Sequence, residues 1–584
     1  MWFPFKNDTA SGVRPGTAIV ALIVVTMAGV NPHLASAALS PVVIGEFQTL
    51  NILAPSPLVR RAQELLAELG DYDGPADGRM NDDTLAAIKT YQQRSGLDDD
   101  GRVTEALLDH IEFTGRAIEL GEKVERIRAG QIDVAEQALM AQPETRALLE
   151  ANFDDERADP TRDASQCFVS PDAQCLLTEA LNSAKSVHRD RFRDWVLGEI
   201  VVAQARAGLV VPAMETAARI GDPRLIIVAL GNMATAQARS GSVDQALVAA
   251  RAIPDPWAWA KALAGVAGAM AASGESQTLA TTVEEILALS RTLPAERIPA
   301  QFFAVLATEV WRQIGDGSDQ VLAELSGGIL AEAAARTEAL DDEGFKPGAS
   351  AVAVALADFG RVPEALEILE TLQSDSDRRP VFSALASDAA AQGQFDAANF
   401  YVGEIVEPRY RAVTLTQVAR VQAAAGFDGA AQGTLDQALA DAMAIDVKQS
   451  YARSHAFSAV AMGLVAFGQT GQALAAVNLI PDARVQAEAL WAVAAAQSED
   501  GDPSKSATTT ARFYALVASI PSALDRTWLL CNGAIRSDSV GNPRAAQGLL
   551  SRALVQAESI GDPWARAQAL AKVATTMVSV ALGP

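Results

Sequence analysis

The sequence is poor in aromatic residues and in basic charge. Phe, Trp and Tyr make up only 5% of the 584 residues, although hydrophobic residues reach 49%. The apolar content is therefore mostly Ala, Leu and Val, which favours close-packed helices over a strand-rich sandwich, and we expect an all-α fold. With 47 basic and 72 acidic residues the formal charge is −25. Such a charge repels nucleic acid and anionic lipid, so we expect no nucleic-acid partner.

Residues typical of catalysis are also scarce. The four histidines (His33, His110, His188 and His455) lie far apart and lack metal-ligand spacing. The chain contains no Gly-Lys pair for a phosphate-binding loop and no Gly-x-Ser-x-Gly elbow. We therefore predict no catalytic residues, no metal and no cofactor, and expect that the protein is not an enzyme.

Long apolar runs are limited to one near the start. The uncharged residues 17–30 follow Lys6 and Arg14 and precede Ala35-Ser36-Ala37, a small-x-small pattern that signal peptidase requires. Residues 1–37 are thus predicted to be a cleaved signal peptide, followed by a linker over 38–57, with the mature protein in the periplasm. An uncleaved inner-membrane anchor is the alternative, but a span needs about 20 apolar residues. After cleavage we expect no stable membrane span.

Only three cysteines occur. Cys167 and Cys175 flank a turn at Ser170-Pro171-Asp172, and export permits disulfides, so we predict a bridge between them. Two unpaired thiols are the alternative. Cys531 lies inside an apolar helical pattern and is expected to be a small buried filler.

A three-helix unit is predicted over residues 58–112. Apolar residues recur at helical spacing before Gly70 and again before Gly96, and a third short helix is expected from Thr104 to Ile111. Asp82 or Asp83 is predicted to cap the second helix. Turn sequences separate the helices, and the matched positions include Gln63, Leu69-Gly70, Tyr72, Gly74-Pro75, Asp77-Gly78, Thr84, Ala87, Tyr91-Gln92, Gly96-Leu97 and Asp100-Gly101.

With these residues in this order, the segment resembles the peptidoglycan-binding-like domain of bacterial cell-wall hydrolases and transpeptidases. Asn81 stands where that family usually has glycine. The resemblance implies docking on peptidoglycan through a groove near the turns, with contacts from Tyr72, Asp77, Arg79, Thr84 and Gln92. The alternative is that these residues are framework, because they can satisfy turn and cap hydrogen bonds.

Further along, residues 113–150 have helical spacing and are predicted to be a helical connector. Residues 151–175 are poor in apolar side chains up to Gln166 and are predicted to be a flexible linker that marks the domain boundary.

From residue 176 to 584 the chain repeats itself. Glycines expected at helix-turn-helix corners recur every 33 to 43 residues. Most of them have a large apolar residue eleven positions earlier and an alanine seven positions earlier. These corner glycines are Gly208, Gly241, Gly274, Gly317, Gly360, Gly393, Gly426, Gly468, Gly501 and Gly541. The array resembles tetratricopeptide-type repeats but lacks their bulky aromatic residues. We predict a long right-handed α-solenoid of helix-turn-helix repeats.

Two polar rows are expected on the inner face that successive first helices build. Glutamines lie four residues before a corner glycine, at Gln204, Gln237, Gln422 and Gln497, and arginines lie seventeen before one, at Arg191, Arg224, Arg409 and Arg484. Stacking would let these rows hold an extended chain. Alternatively, each arginine braces the turn between repeats through a neighbouring acidic residue.

Together these features predict a non-enzymatic periplasmic adaptor that docks on peptidoglycan and binds an unidentified envelope protein through its solenoid. One alternative is a scaffold in which both domains bind proteins only. Another is a murein-remodelling enzyme such as a lytic transglycosylase, which needs a catalytic glutamate in a Glu-Ser dipeptide. The candidates Glu275-Ser276 and Glu558-Ser559 both lie inside the repeat pattern.

Overall fold

A computed structural model describes residues 55–151, 153, 156–273, 276–292, 300–312, 320–338 and 348–582. All regular structure in these ranges is helical. The helices are α1 (Pro57–Glu68), α2 (Asp82–Arg94), α3 (Glu105–Ala141), α4 (Pro143–Glu150), α5 (Ser165–Val169), α6 (Ala173–Ala184), α7 (Asp190–Arg206), α8 (Val210–Ala217), α9 (Pro223–Arg239), α10 (Val243–Arg251), α11 (Pro256–Ser273), α12 (Ser276–Thr292), α13 (Ala300–Arg312), α14 (Gln320–Glu338), α15 (Ala349–Asp358), α16 (Val362–Thr371), α17 (Asp375–Ala391), α18 (Phe395–Gly403), α19 (Pro408–Ala424), α20 (Asp428–Ala444), α21 (Ser450–Ala466), α22 (Thr470–Val477), α23 (Ala483–Glu499), α24 (Pro503–Ser519), α25 (Ala523–Ser539), α26 (Pro543–Glu558) and α27 (Pro563–Leu582).

The predicted signal peptide lies outside the described residues. Within the described part of the chain, no helix is both long enough and apolar enough to cross a membrane.

The chain divides into two compact units, one ending at Lys123 and one beginning at Val124. In the first unit α1, α2 and the start of α3 enclose a small core, whose buried members are Ala62, Leu65, Leu66, Tyr72, Ala87, Ile88, Tyr91, Leu107, Leu108 and Ile111. The third helix is not short, as the sequence suggested, because it continues without a break into the predicted connector. No glycine or proline signal stands at residue 112 to end it.

The segment predicted as a flexible linker is anchored to the second unit at its described residues. Glu156 forms ion pairs with Arg219 at 2.7 Å and with Lys185 at 2.6 Å, and the guanidinium of Arg219 lies 4.2 Å from the centre of the Phe153 ring. The hydrogen bond from Arg219 holds the pKa of Glu156 below its usual value. The division between the units lies within α3, between Lys123 and Val124, and the described residues of the predicted linker belong to the second unit.

The second unit is an array of helix pairs with glycine at the corners. Eight of the ten predicted corner glycines lie in the described residues and have φ between 69° and 85°, a left-handed conformation that favours glycine (Gly208, Gly241, Gly360, Gly393, Gly426, Gly468, Gly501 and Gly541). Gly274 and Gly317 lie outside those residues. The first helix of each pair precedes its glycine and the second follows it.

Second helices fall into a shorter and a longer group. α8, α10, α18 and α22 have 8 or 9 residues, whereas α20, α24 and α26 have 16 or 17. The extension is close to two helical turns, so the same face stays buried.

The array closes on itself. Each first helix contacts the next from α7 through every odd-numbered helix to α27, and α27 in turn contacts α7. α27 has no second helix after it in the chain, and α6 packs against α27 in that place. The described helices of the second unit therefore form a ring of eleven pairs, in which the last pair combines α27 with α6. Closure was not predicted from the sequence.

First helices form the inner layer of this ring. Each first helix touches the next one all the way round the ring. Among the described second helices, by contrast, only α12 and α14 make a comparable contact with each other. When two concentric layers contain the same number of helices, neighbouring helices lie farther apart in the outer layer. The second helices, which mostly make little contact with one another, therefore form the outer layer. Side chains exposed on the first helices consequently face the interior of the ring or its two rims.

Cys167 and Cys175 form a disulfide, with their Cα atoms 5.6 Å apart, that joins α5 to the beginning of α6. Cys531 is buried as a free thiol in α25, and burial raises its pKa to about 11. A thiol that is both buried and protonated reacts slowly with alkylating reagents.

We expect no thiol to be alkylated in the native protein at pH 8, and one per chain after denaturation without reductant. The single labelled site should be Cys531, and reductant should raise the number to three. Mass spectrometry of the alkylated chain measures this. Three labelled thiols in denatured, unreduced protein would contradict the disulfide.

Candidate functional site

A buried glutamine organises the turns of the first unit. Gln63, on α1, is completely buried, and its Nε2 lies within hydrogen-bonding distance of four oxygens. These are Thr84 Oγ1 at 2.9 Å, the Arg79 carbonyl at 3.1 Å, and Tyr72 Oη and Asp77 Oδ1 at 3.3 Å. Its Oε1 accepts the backbone N–H of Gly78 at 2.8 Å. One amide thus fixes the chain from residue 72 to residue 84.

The loop Asp77-Gly78-Arg79 is shaped by this amide. Gly78 has φ +76°, and a Cβ at this position would lie 2.9 Å from the Ser56 carbonyl oxygen, so only glycine fits. Asp77 Oδ1 accepts the backbone N–H of Arg79 at 2.8 Å. That hydrogen bond, with a smaller contribution from Gln63, lowers the pKa of Asp77. The Arg79 side chain is left exposed to solvent.

A second loop repeats the same construction. Gln92, on α2, accepts the Gly101 N–H at 2.9 Å through Oε1 and donates to Asp100 Oδ1 at 3.0 Å through Nε2. Asp100 Oδ1 also accepts the Arg102 N–H at 2.9 Å, which lowers the pKa of Asp100. Both loops read Asp-Gly-Arg, both are held by a buried glutamine, and both leave the arginine exposed.

The five residues predicted to contact peptidoglycan therefore divide into two groups. Tyr72, Thr84 and Gln92 are buried and hold the loops, in accord with the framework alternative. Asp77 is half-buried and fixes the backbone of Arg79. Of the five, Arg79 presents its side chain most fully to solvent, beside Met80, which is 42% exposed.

The cap of α2 also differs from the prediction. Asn81, not Asp82 or Asp83, is the N-cap, and its side chain accepts the Thr84 N–H at 2.7 Å. Its backbone is extended, with φ −110°, so this position has no need of glycine. Asparagine is among the preferred N-cap residues because its short side chain reaches the first turn.

The glutamine row of the ring does not line a surface. Gln204, Gln237, Gln422 and Gln497 are each at most 4% exposed. A position four residues before the corner glycine shares a helix face with the positions seven and eleven before it, which carry alanine and large apolar residues. This face packs against the second helix, as the bond from Thr509 Oγ1 to Gln497 Oε1 at 2.8 Å illustrates. The prediction of an inner-face row was wrong for these residues.

The arginine row behaves largely as the bracing alternative expects. Arg224 pairs with Asp222 at 2.7 Å, Arg409 lies 2.9 Å from Glu407, and Arg484 lies 3.4 Å from Asp525 and 3.9 Å from Asp482. Three of the four thus neutralise the acidic residue two positions earlier, at the start of the first helix. Arg191 is exposed on α7.

Another arginine row was missed in the sequence. Arg411, Arg453 and Arg526 lie fifteen residues before their corner glycines. Each guanidinium donates to the carbonyl of an isoleucine one or two residues after the preceding second helix, at 3.1, 2.8 and 2.6 Å. These bonds satisfy carbonyls that helix ends leave free. The regular offset from the glycines was the available signal.

The glutamate of the enzymatic alternative has a structural position. Glu558 is the last residue of the outer helix α26, and its carbonyl accepts a hydrogen bond from Arg566 at 2.8 Å. Its partner Ser559 donates to the Gln556 carbonyl at 2.7 Å. Glu275 lies outside the described residues. Among the described residues, no group of three or more His, Cys, Asp or Glu side chains could hold a metal ion.

Comparison with known proteins finds a family match within the first unit. Residues 55–111 match the family model described as "Putative peptidoglycan binding domain". The matched residues include both Asp-Gly-Arg loops. A solved structure entitled "Circular tandem repeat protein with novel repeat topology and enhanced subunit contact surfaces" is similar at 13% identity and a TM-score of 0.16, covering 90% of this chain and 98% of that one. No curated protein matches the chain.

Proposed function

We propose that the protein is a non-enzymatic adaptor of the cell envelope, docked on peptidoglycan by residues 55–111 and binding protein partners on its ring. The observation that carries the first half is the match of these residues to a putative peptidoglycan-binding domain. The ring supports the second half, because helical repeat arrays offer extended concave surfaces to partners. Export to the periplasm by residues 1–37 belongs to the same proposal.

Peptidoglycan contacts are assigned to the loop that carries Arg79 and Met80. Their side chains are exposed, while the backbone beneath them is fixed by Gln63 and Asp77. A rigid loop loses little conformational entropy on binding, which favours recognition. Carboxylates of the stem peptide are suitable partners for the Arg79 guanidinium, which can donate two parallel hydrogen bonds.

Replacing Arg79 with alanine is expected to weaken sedimentation of the full-length mature chain with purified sacculi by about tenfold, the loss of roughly one charge-assisted contact. The melting temperature should not change, since the side chain is exposed. The matched control is Arg102→Ala, which removes the same residue from the second loop. Equal loss for both variants would contradict the assignment to the first loop, and absence of sedimentation by the unaltered chain would overturn peptidoglycan docking.

A further inference from the structure

Aromatic side chains gather on the inner layer of the ring where its ends meet. Trp195 on α7 and Trp564 on α27 have ring centroids 5.5 Å apart, and Phe192 lies 5.8 Å from Trp564 at a steep interplanar angle. Phe192 and Trp195 remain 41% and 45% exposed. Large aromatic residues so exposed in an aromatic-poor protein indicate a contact surface.

A third tryptophan lies on the neighbouring helix α25. Trp528 lies under the ammonium of Lys572, with 4.6 Å between Nζ and the ring centroid. The chain has eight tryptophans, and three of them therefore lie on α25, α27 and α7, which are consecutive in the inner layer.

Positive charge lies on the same inner layer, further along the helices: Arg206 is eleven residues beyond Trp195 on α7, about 16 Å along the helix axis. Lys572, Arg206 on α7 and Arg239 on α9 occupy the inner layer around Glu199. Burial lowers the pKa of Arg206, and the charge of Arg239 lowers it further. Burial likewise lowers the pKa of Lys572, with Arg206 adding to the effect. Arg206 thus lies close enough to both Arg239 and Lys572 to be repelled by them, and two carboxylates, Glu199 and Glu488 on α23, lie among these cations.

We infer that this surface, the seam patch of Trp195, Trp528, Trp564, Arg206, Arg239 and Lys572, binds an acidic segment of a partner polypeptide. The inference rests on the proposed adaptor function and gives the partner a chemistry. Tryptophan and arginine are the residues that most often dominate binding energy at protein interfaces. An acidic segment would relieve the repulsion among the cations while its apolar side chains pack on the indole rings.

Charge contrast supports an acidic occupant. A chain of net charge −25 repels acidic polypeptides over most of its surface, so a local excess of cations directs them to one place. The inner face is also concave enough for helices two pairs apart to meet, since Arg536 on α25 donates to Met462 Sδ on α21 at 3.8 Å. A side chain of the occupant can therefore be contacted from several helices.

The test measures fluorescence anisotropy of a labelled peptide that alternates glutamate and leucine, added to the full mature chain. We expect saturable binding that weakens with salt, and at least about tenfold weaker binding for the glutamine-leucine peptide. The double variant Arg206→Gln/Lys572→Gln and the single variant Trp195→Ala should each lose about tenfold or more in affinity. Arg239→Gln alters an exposed side chain and should weaken binding without affecting folding.

Lys261→Ala is the matched control, because Lys261 is an exposed cation on the inner helix α11, away from the seam. Equal affinity for the glutamate and glutamine peptides, or equal loss in the Lys261 variant and the seam variants, would overturn the proposal. Retention of a cross-linked envelope partner by the double variant would discard the seam patch and leave the adaptor function standing. If the unaltered chain cross-links to no envelope protein at all, the adaptor function is rejected instead.

Discussion

Gln63→Leu is expected to unfold residues 55–111 while the ring stays folded. Leucine has a similar volume but leaves the Gly78 N–H and the Arg79 carbonyl without the partner they have now, whereas Thr84 Oγ1 keeps its hydrogen bond to Tyr72 Oη. Each unsatisfied buried polar group costs about 1–3 kcal/mol, so the total is on the order of 3–5 kcal/mol. A unit of this size buries little surface and is marginally stable, so this loss is comparable with its whole free energy of unfolding.

Limited trypsin digestion and thermal unfolding of the full chain measure the effect. Cleavage at Arg60, Arg61, Lys89 and Arg94 should become rapid, and the unfolding transition expected for residues 55–111 in the unaltered chain should be absent from the variant. Gln93→Leu is the matched control, because Gln93 is the neighbour of Gln92 on α2 but is exposed. Gln92→Leu should have an intermediate effect, since Gln92 bonds to one loop only. Unchanged protease resistance in Gln63→Leu would show that the amide is dispensable.

Local features were predictable from the sequence, because their physical causes are local. A corner glycine is required wherever the chain turns through positive φ, so the glycine series predicted the pairs of helices. The alternation of apolar residues and turn sequences likewise predicted α1 and α2. The resemblance of residues 58–112 to a peptidoglycan-binding-like domain agrees with the family match over residues 55–111.

Side-chain roles were less predictable, since the same residue type can be framework or contact. Gln63 matched a family position but was not recognised as the centre of the loop network, and Gln92 was taken for a contact although it is the second such centre. The buried glutamines of the ring were misplaced for a different reason. Their offset from the corner glycine already put them on the face of the alanines, and a helical wheel would have shown it.

Ring closure had no local signal at all. α6 and α27 are separated by nearly the whole repeat array, and α6 lacks the corner glycine that marks a second helix elsewhere. A linear array exposes the apolar side of its terminal repeats and needs capping repeats to stay soluble. Here α6 and α27 cover each other, so the two ends of the array need no polar capping face.

Leu177→Asp should open the ring. Leu177 lies on α6 and is 1% exposed, and an aspartate there would bury an unpaired charge in the contact layer that α27 shares. We expect a loss on the order of 3–5 kcal/mol. Because α6 is joined to α27 by packing alone and not by a short connection, this loss should separate the ends instead of merely loosening one pair.

Spin labels on cysteines introduced at Val211 and Val555 can follow the opening, because these exposed positions lie on the outer helices α8 and α26 on either side of α6. The distance between the labels should lengthen and broaden in Leu177→Asp. Leu549→Asp is the matched control: it places the same charge at a fully buried site of α26, where α25 and α26 are joined by a corner at Gly541. If both variants lose similar stability but the labels move apart only in Leu177→Asp, closure by α6 is established. If the distance between the labels is unchanged in Leu177→Asp, α7 and α27 hold the ends of the ring together without α6.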